Sequence, residues 1–209
     1  DNYREAQRYI PFSDEGLMRE VELVGRLLPL TAMGDQKTRL AEGLAANLEI
    51  LRTFPDGNAE RYISLARGYR ALGDGGSAEP YYSRALQYYP SSAYYVVEKA
   101  SFFVEQGRLG DAEALIESFR PYAEKYRSRH DPRGIIIYKL RDIEAHVAYA
   151  RGNCKKALNI AAVNLTDAQK GEFVSGSIRA REFVPQKQLL TYLSGRVDYY
   201  RSLCSSGDK

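Results

Sequence analysis

The stretch Ala59-Glu60-Arg61-Tyr62-Ile63-Ser64-Leu65-Ala66-Arg67-Gly68-Tyr69-Arg70-Ala71-Leu72-Gly73-Asp74, continued by Gly75 to Pro90, decides how this chain folds. Its apolar residues recur at helical spacing until Gly73-Asp74-Gly75-Gly76 interrupts them, and a second helical pattern then runs through Ala78, Tyr82, Ala85 and Leu86. Two helices joined by a tight turn are the physical implication. Small Ala66 and Ala78 permit close helix approach, while Tyr62, Leu65, Tyr69 and Tyr82 fill the remaining space. Pro90 supplies a stop, because its ring and missing N–H disfavour continuation.

The pattern repeats. A shift of 34 residues carries Ala66 onto Ala100, Tyr69 onto Phe103, Gly73 onto Gly107, Ala78 onto Ala112, Tyr82 onto Ile116 and Ala85 onto Phe119. A third candidate spans about Tyr138 to Asp167, where Ala145 precedes Gly152 by the same seven residues and Ala157 and Ala161 follow. Arg141 and Glu144 stand there at places where apolar packing is expected, which makes this a divergent pair or a different helical hairpin.

Outward from this centre, Asp14 to Pro55 reads as two helices separated near Gly34-Asp35-Gln36. Leu17, Val21, Val24, Leu27 and Leu28 form the inward face of the first, and Leu40, Leu44, Leu48 and Leu51 that of the second, with Pro29 near the first helix's end. Tyr126 to Gly134 reads as a loop or a shifted repeat boundary. Beyond Asp167, Phe173, Val174, Ile178, Phe183 and Val184 precede a strong helix signal from Gln186 to Leu203, with Pro185 at its start.

These residues resemble the tetratricopeptide repeat family. The resemblance is clearest over 59–90, where Tyr62, Leu65, Ala66, Tyr69, Ala78, Tyr82, Ala85 and Pro90 match its packing and termination pattern. It weakens over 93–124, where Lys99 and Glu124 depart from it. It implies an all-α fold of stacked helical hairpins forming a short right-handed superhelix: one helical-repeat domain over 1–209, with an atypical hairpin or cap at about 14–55, repeats at 59–90 and 93–124, a divergent hairpin at 138–167 and a C-terminal helical cap at 168–209. A compact, non-repetitive helical bundle is the alternative fold.

In such an array the first helices of successive pairs line an inner surface. That register places Ile63, Arg67, Arg70 and Ala71 on one repeat's binding side and Tyr94, Val97, Glu98, Ser101, Val104 and Glu105 on the next. Lys139, Asp142, His146 and Tyr149 occupy the exposed side of the third, where Asp142 and His146 lie one helical turn apart. Arg67 and Arg70 carry guanidinium donors suited to carboxylate or phosphate, or to nearby acids on the protein itself. Tyr94 and Val97 offer an aromatic and an aliphatic foothold. The family's basic clamp for a peptide carboxylate calls for Lys and Asn where this chain has Ile63 and Arg67, and Val97 and Ser101 do not restore those donors. An ordinary chaperone-tail receptor is therefore not expected.

Composition narrows the function classes. With 209 residues, 44% apolar and 27% charged, the chain suits a folded protein rather than a disordered one. There is no apolar run of about 18 residues, the length a membrane helix needs. The chain starts at Asp1, the pattern of a processed product or a fragment, so a preceding signal or membrane segment is compatible with it. Cys154 and Cys204 are too far apart to define a metal pair, and their spacing permits a disulfide without predicting one. Asn164-Leu165-Thr166 fits a glycosylation triplet, informative only in a glycosylating compartment.

No residue pattern assigns a catalytic, cofactor-binding or metal-binding role. His130 and His146 stand apart, there is no His-Glu-x-x-His helix, and Gly34-Asp35-Gln36-Lys37-Thr38 lacks the glycine spacing of a P-loop. The expected function is a non-catalytic scaffold that binds a protein or extended peptide in assembly, recruitment or transport. One alternative is a nucleic-acid-binding solenoid using Arg127, Arg129, Arg133, Lys139 and Arg141, opposed by neighbouring Asp131, Asp142 and Glu144 and by a net charge of only +3. A further alternative is a regulatory or substrate-binding domain of a larger enzyme.

Overall fold

The computed structural model describes residues 14–55, 58–129, 135–170 and 186–206. All regular structure among them is helical: α1 (Asp14–Leu27), a 3₁₀ turn (Leu28–Leu30), α2 (Asp35–Arg52), α3 (Ala59–Ala71), α4 (Gly75–Tyr88), α5 (Ala93–Glu105), α6 (Leu109–Arg129), α7 (Ile135–Ala150), α8 (Cys154–Gln169) and α9 (Gln186–Ser206). The chain divides into two compact units, Asp1–Pro90 and Ser91–Lys209.

The three glycine turns have one construction. Gly73, Gly107 and Gly152 adopt φ of 79°, 71° and 78°, a left-handed conformation in which only glycine avoids a Cβ clash. Each turn makes the same pair of bonds. The glycine N–H donates to the carbonyl three residues back (Arg70, Val104 and Tyr149), and the next N–H donates to the carbonyl five back (Tyr69, Phe103 and Ala148). This is the Schellman closure that satisfies the last carbonyls of a helix. In the first and third turns the following side chain caps the next helix, Asp74 accepting from the Ser77 N–H and Asn153 from the Lys156 N–H. The Ser77 bonds hold the Asp74 carboxyl below its usual range.

Burial repeats with the same register. Seven residues before each glycine stand Ala66, Ala100 and Ala145, and five after it Ala78, Ala112 and Ala157, all six with no exposed surface. Nine after it come Tyr82, Ile116 and Ala161, again buried. Twelve after it, Ala85 and Phe119 are followed in the third hairpin by a polar residue, Asn164.

In the first unit α3 packs against α4, α1 packs against α2 and α3, and α2 also touches α3. Val21, Leu44, Leu48, Leu51, Ile63 and Leu65 are sealed from solvent in this unit. Gly68 marks the tightest contact: a Cβ there would lie 2.5 Å from Leu48 Cδ2 and 3.1 Å from Val21 Cγ1. Leu27, expected on the inward face, is instead 45% exposed, because it falls with Leu23 on a stripe turned away from Leu17, Val21 and Leu28. Arg61 is buried and joins the start of α1 to the segment that follows α2, its guanidinium donating to Asp14 Oδ2 at 3.0 Å and to the Pro55 carbonyl.

The second unit has the same neighbour pattern: α5 on α6, α5 on α7, α6 on α7, α7 on α8 and α8 on α9. Helix α6 carries Pro121 within it and continues to Arg129, through Tyr126 to Arg129 where the sequence suggested an interruption; from Tyr126 to Arg129 there is no Gly or Pro to stop it. Residues 130–134 and the apolar positions Phe173 to Val184 lie outside the described residues. Helix α9 covers the hairpin before it, with Leu189 and Leu193 packed near Tyr138 and Ala168, and Val197 and Tyr200 near Ala145, Ala148, Ala157 and Ala161.

Candidate functional site

The departures of the third hairpin from the apolar pattern are resolved by partners on neighbouring helices. Arg141 donates to Asp167 Oδ2 at 2.6 Å and to Asn164 Oδ1 at 3.4 Å, both on α8. Asn164, only 2% exposed, donates its amide to the Tyr138 carbonyl at 3.2 Å. Both ends of that amide are thus engaged inside the unit, and a glycan on its nitrogen is incompatible with this packing. Glu144 lies 3.3 Å from Arg120 on α6 and 3.7 Å from Lys156 on α8. Glu113 joins the same group through Arg151 and, at 4.0 Å, Lys156. Arg120 also pairs with Glu117 at 2.8 Å, so three acids and three bases balance and the cluster pins α6, α7 and α8 without presenting net charge.

The proposed binding positions fall in both units. In the first, Ile63 is fully buried. Arg67 pairs with Glu22 of α1 at 3.4 Å, and Arg70 donates to the Tyr82 hydroxyl at 3.4 Å. In the second, Val97 is buried, while Tyr94, Glu98 and Ser101 are half-buried on α5, which Ser92 caps through the Tyr95 N–H. Lys139, Asp142, His146 and Tyr149 are half-buried on α7.

Asp142 has a defined setting, although its partners are not on its own helix. Its Oδ2 accepts from the Tyr192 hydroxyl at 2.8 Å and its Oδ1 from Arg196 Nε at 2.7 Å, both on α9. Arg196 donates in turn to the Tyr200 hydroxyl at 2.6 Å and stacks over the Tyr200 and Tyr199 rings, 4.8 and 5.2 Å from their centroids. The Tyr149 and Tyr200 rings lie 5.9 Å apart and those of Tyr138 and Tyr192 6.3 Å apart, so α7 and α9 run side by side in the same direction.

Burial and the Asp142 charge hold the Tyr192 phenol protonated well beyond its ordinary range. Burial pushes Tyr200 up to about 12 against the opposing pull of Arg196. Asp142 and Arg196 are both largely withdrawn from water, with side-chain exposures of 20% and 22%. Tyr192 and Tyr199 nevertheless keep 47% and 43% of their surface open.

The result is a wall on which a locked arginine and its carboxylate support two half-open tyrosines. Sequence reading missed Tyr192, Arg196 and Tyr199, although their spacing at i, i+4 and i+7 places them on one helix face. The arrangement offers contact surface and hydrogen bonds. Among the described residues no group of three or more His, Cys, Asp or Glu is placed to hold a metal ion, and no helix is long and apolar enough to cross a membrane. Compared with protein-family models, curated proteins and solved structures, the chain matches none of them.

Proposed function

We propose that the chain is a tetratricopeptide-like scaffold that binds an extended protein segment, with the α7–α9 wall of the second unit as its contact surface. The observation that carries this reading is the three-fold recurrence of one hairpin: the same glycine closure, with buried alanines at the same offsets. Units of this kind stack on their neighbours and leave first-helix side chains along one side, a geometry suited to a chain lying across several helices.

The wall fits that role. Tyr and Arg dominate binding hot spots because they bring large area and directed donors. Here Asp142, Tyr199 and Tyr200 fix Arg196 in advance, which reduces the entropy lost when a partner docks. His146, Lys139 and the α5 residues Tyr94, Glu98 and Ser101 extend the polar margin. Catalysis is no part of the proposal. Nor is a basic track for nucleic acid, since Arg141 is committed to Asp167.

The test is a display of random extended peptides on the folded full chain, followed by titration of the best binder against Tyr199→Ala and Lys170→Ala. Tyr199→Ala is expected to weaken binding at least about tenfold, a hot-spot-sized effect, while the variant stays folded and the Lys170→Ala affinity is unchanged. Equal affinity for wild type and Tyr199→Ala would remove the wall from the proposal.

A further inference from the structure

Helix α9 is reached through residues 171–185 and is held to the rest of its unit in two ways. One is noncovalent: the Leu189, Leu193, Val197 and Tyr200 faces and the Asp142–Arg196 pair. The other is covalent: Cys204, near its C-terminal end, is bonded to Cys154, the first residue of α8, with Cα atoms 5.6 Å apart. The cross-link spans 50 residues, enough for chain entropy to matter. Both cysteines are half-buried rather than sealed in the core.

Most of the fully covered side chains beneath α9 are alanines, with Tyr138 among them and Tyr149, Leu158, Ile160 and Leu165 partly buried around them. Ala145, Ala148, Ala157, Ala161 and Ala168 are all nearly or fully covered. Alanine brings little area per side chain, so much of the burial at this junction is supplied by α9 itself, through two leucines, a valine and a tyrosine. The cystine adds a covalent constraint to these contacts, so cutting it lowers the free energy needed to open α9.

We infer that the Cys154–Cys204 cystine is a redox clasp: oxidised, it locks α9 over the α7–α8 hairpin, and reduced, it lets α9 open and uncover that hairpin's alanine face. The opening reagent is a dithiol. Its thiolate attacks one sulfur of the cystine and the other leaves as thiolate; the second thiol of the reagent then closes on the mixed disulfide. Two electrons and two protons pass to the protein, giving two cysteine thiols, and the dithiol becomes a cyclic disulfide.

Two measurements on the full chain test it. Alkylation under native conditions followed by mass determination should add nothing to the air-oxidised protein and two adducts after dithiol treatment. Adducts on the untreated protein mean that the clasp does not form. Hydrogen exchange on the oxidised and reduced forms should then show Gln186–Ser206 exchanging at least about tenfold faster on reduction, with Ala59–Tyr88 unchanged. Cys204→Ser should reproduce the reduced pattern without any reagent. Exchange in α9 that stays within about twofold, or that rises equally in α3 and α4, overturns the clasp: the first means that the noncovalent contacts suffice, the second that the cystine supports the whole chain and not one helix.

Discussion

Two glycines in helix interiors show how far one atom's surroundings decide stability. Gly43 lies in the middle of α2 with nothing within 4 Å of where a Cβ would stand, whereas at Gly68 of α3 that position is filled by Leu48 and Val21. Both backbones are helical, so alanine gains roughly 0.5–1 kcal/mol of propensity at either site. At Gly43 that gain is unopposed, and Gly43→Ala should raise stability by about that amount. At Gly68 the methyl meets two side chains of a sealed core, where overpacking costs about 1–3 kcal/mol. Gly68→Ala should therefore be destabilising by about 1 kcal/mol net. Urea melts of the two variants check the opposite signs. Two stabilising results would mean that Leu48 yields to the new methyl at no cost.

At the scale of elements, the α7–α9 junction makes a prediction in pH. The Tyr200 phenol is fully buried, and its loss of a proton is deferred from the ordinary value near 10 to about 12. Below pH 10 both folded and unfolded chains keep that proton, so the residue adds no slope. Between 10 and 12 the unfolded chain gives it up while the folded one retains it, and stability falls by about 2 kcal/mol over the window. Tyr192 acts in the same direction. Melting temperatures at pH 9 and pH 11 should therefore differ less in Tyr200→Phe than in wild type; an identical alkaline drop would show that Tyr200 does not report on the junction.

The same junction shows what the sequence disclosed and what it did not. The hairpins were legible because their determinants are local: a glycine that must adopt positive φ, and alanines at fixed distances from it. Asp142 was legible as a polar position but not in its bonding. Helical spacing directs attention to His146, four residues on, whereas the partners that hold Asp142 are Tyr192 and Arg196, 50 and 54 residues away on α9. Arg141 and Glu144 likewise read as breaks in an apolar pattern until Asp167, Arg120 and Lys156 are seen facing them. The burial of Ile63 and the pairing of Cys154 with Cys204 are of the same kind, since both depend on helices that spacing alone does not bring together.

At the scale of the whole molecule, the main packing partners of each described helix within its unit lie no more than two places away in the chain. Stability in such an architecture is a sum of local and nearest-neighbour contributions, so damage should stay close to where it is made. Asn164→Ala is a suitable probe, because it removes a buried amide and leaves the Tyr138 carbonyl and the Arg141 guanidinium each short of a partner. A loss of about 1–3 kcal/mol is expected for a buried polar group left unsatisfied. In native hydrogen exchange that is roughly a five- to hundredfold acceleration of the most protected amides. It should appear in Ile135–Ala150 and Cys154–Gln169, which the amide joins, and diminish to nothing in Asp14–Leu27 and Asp35–Arg52. An equal acceleration in α1 and α2 would mean that the chain opens as a single cooperative body, and the repeat reading would then lose its energetic basis even with every hairpin in place.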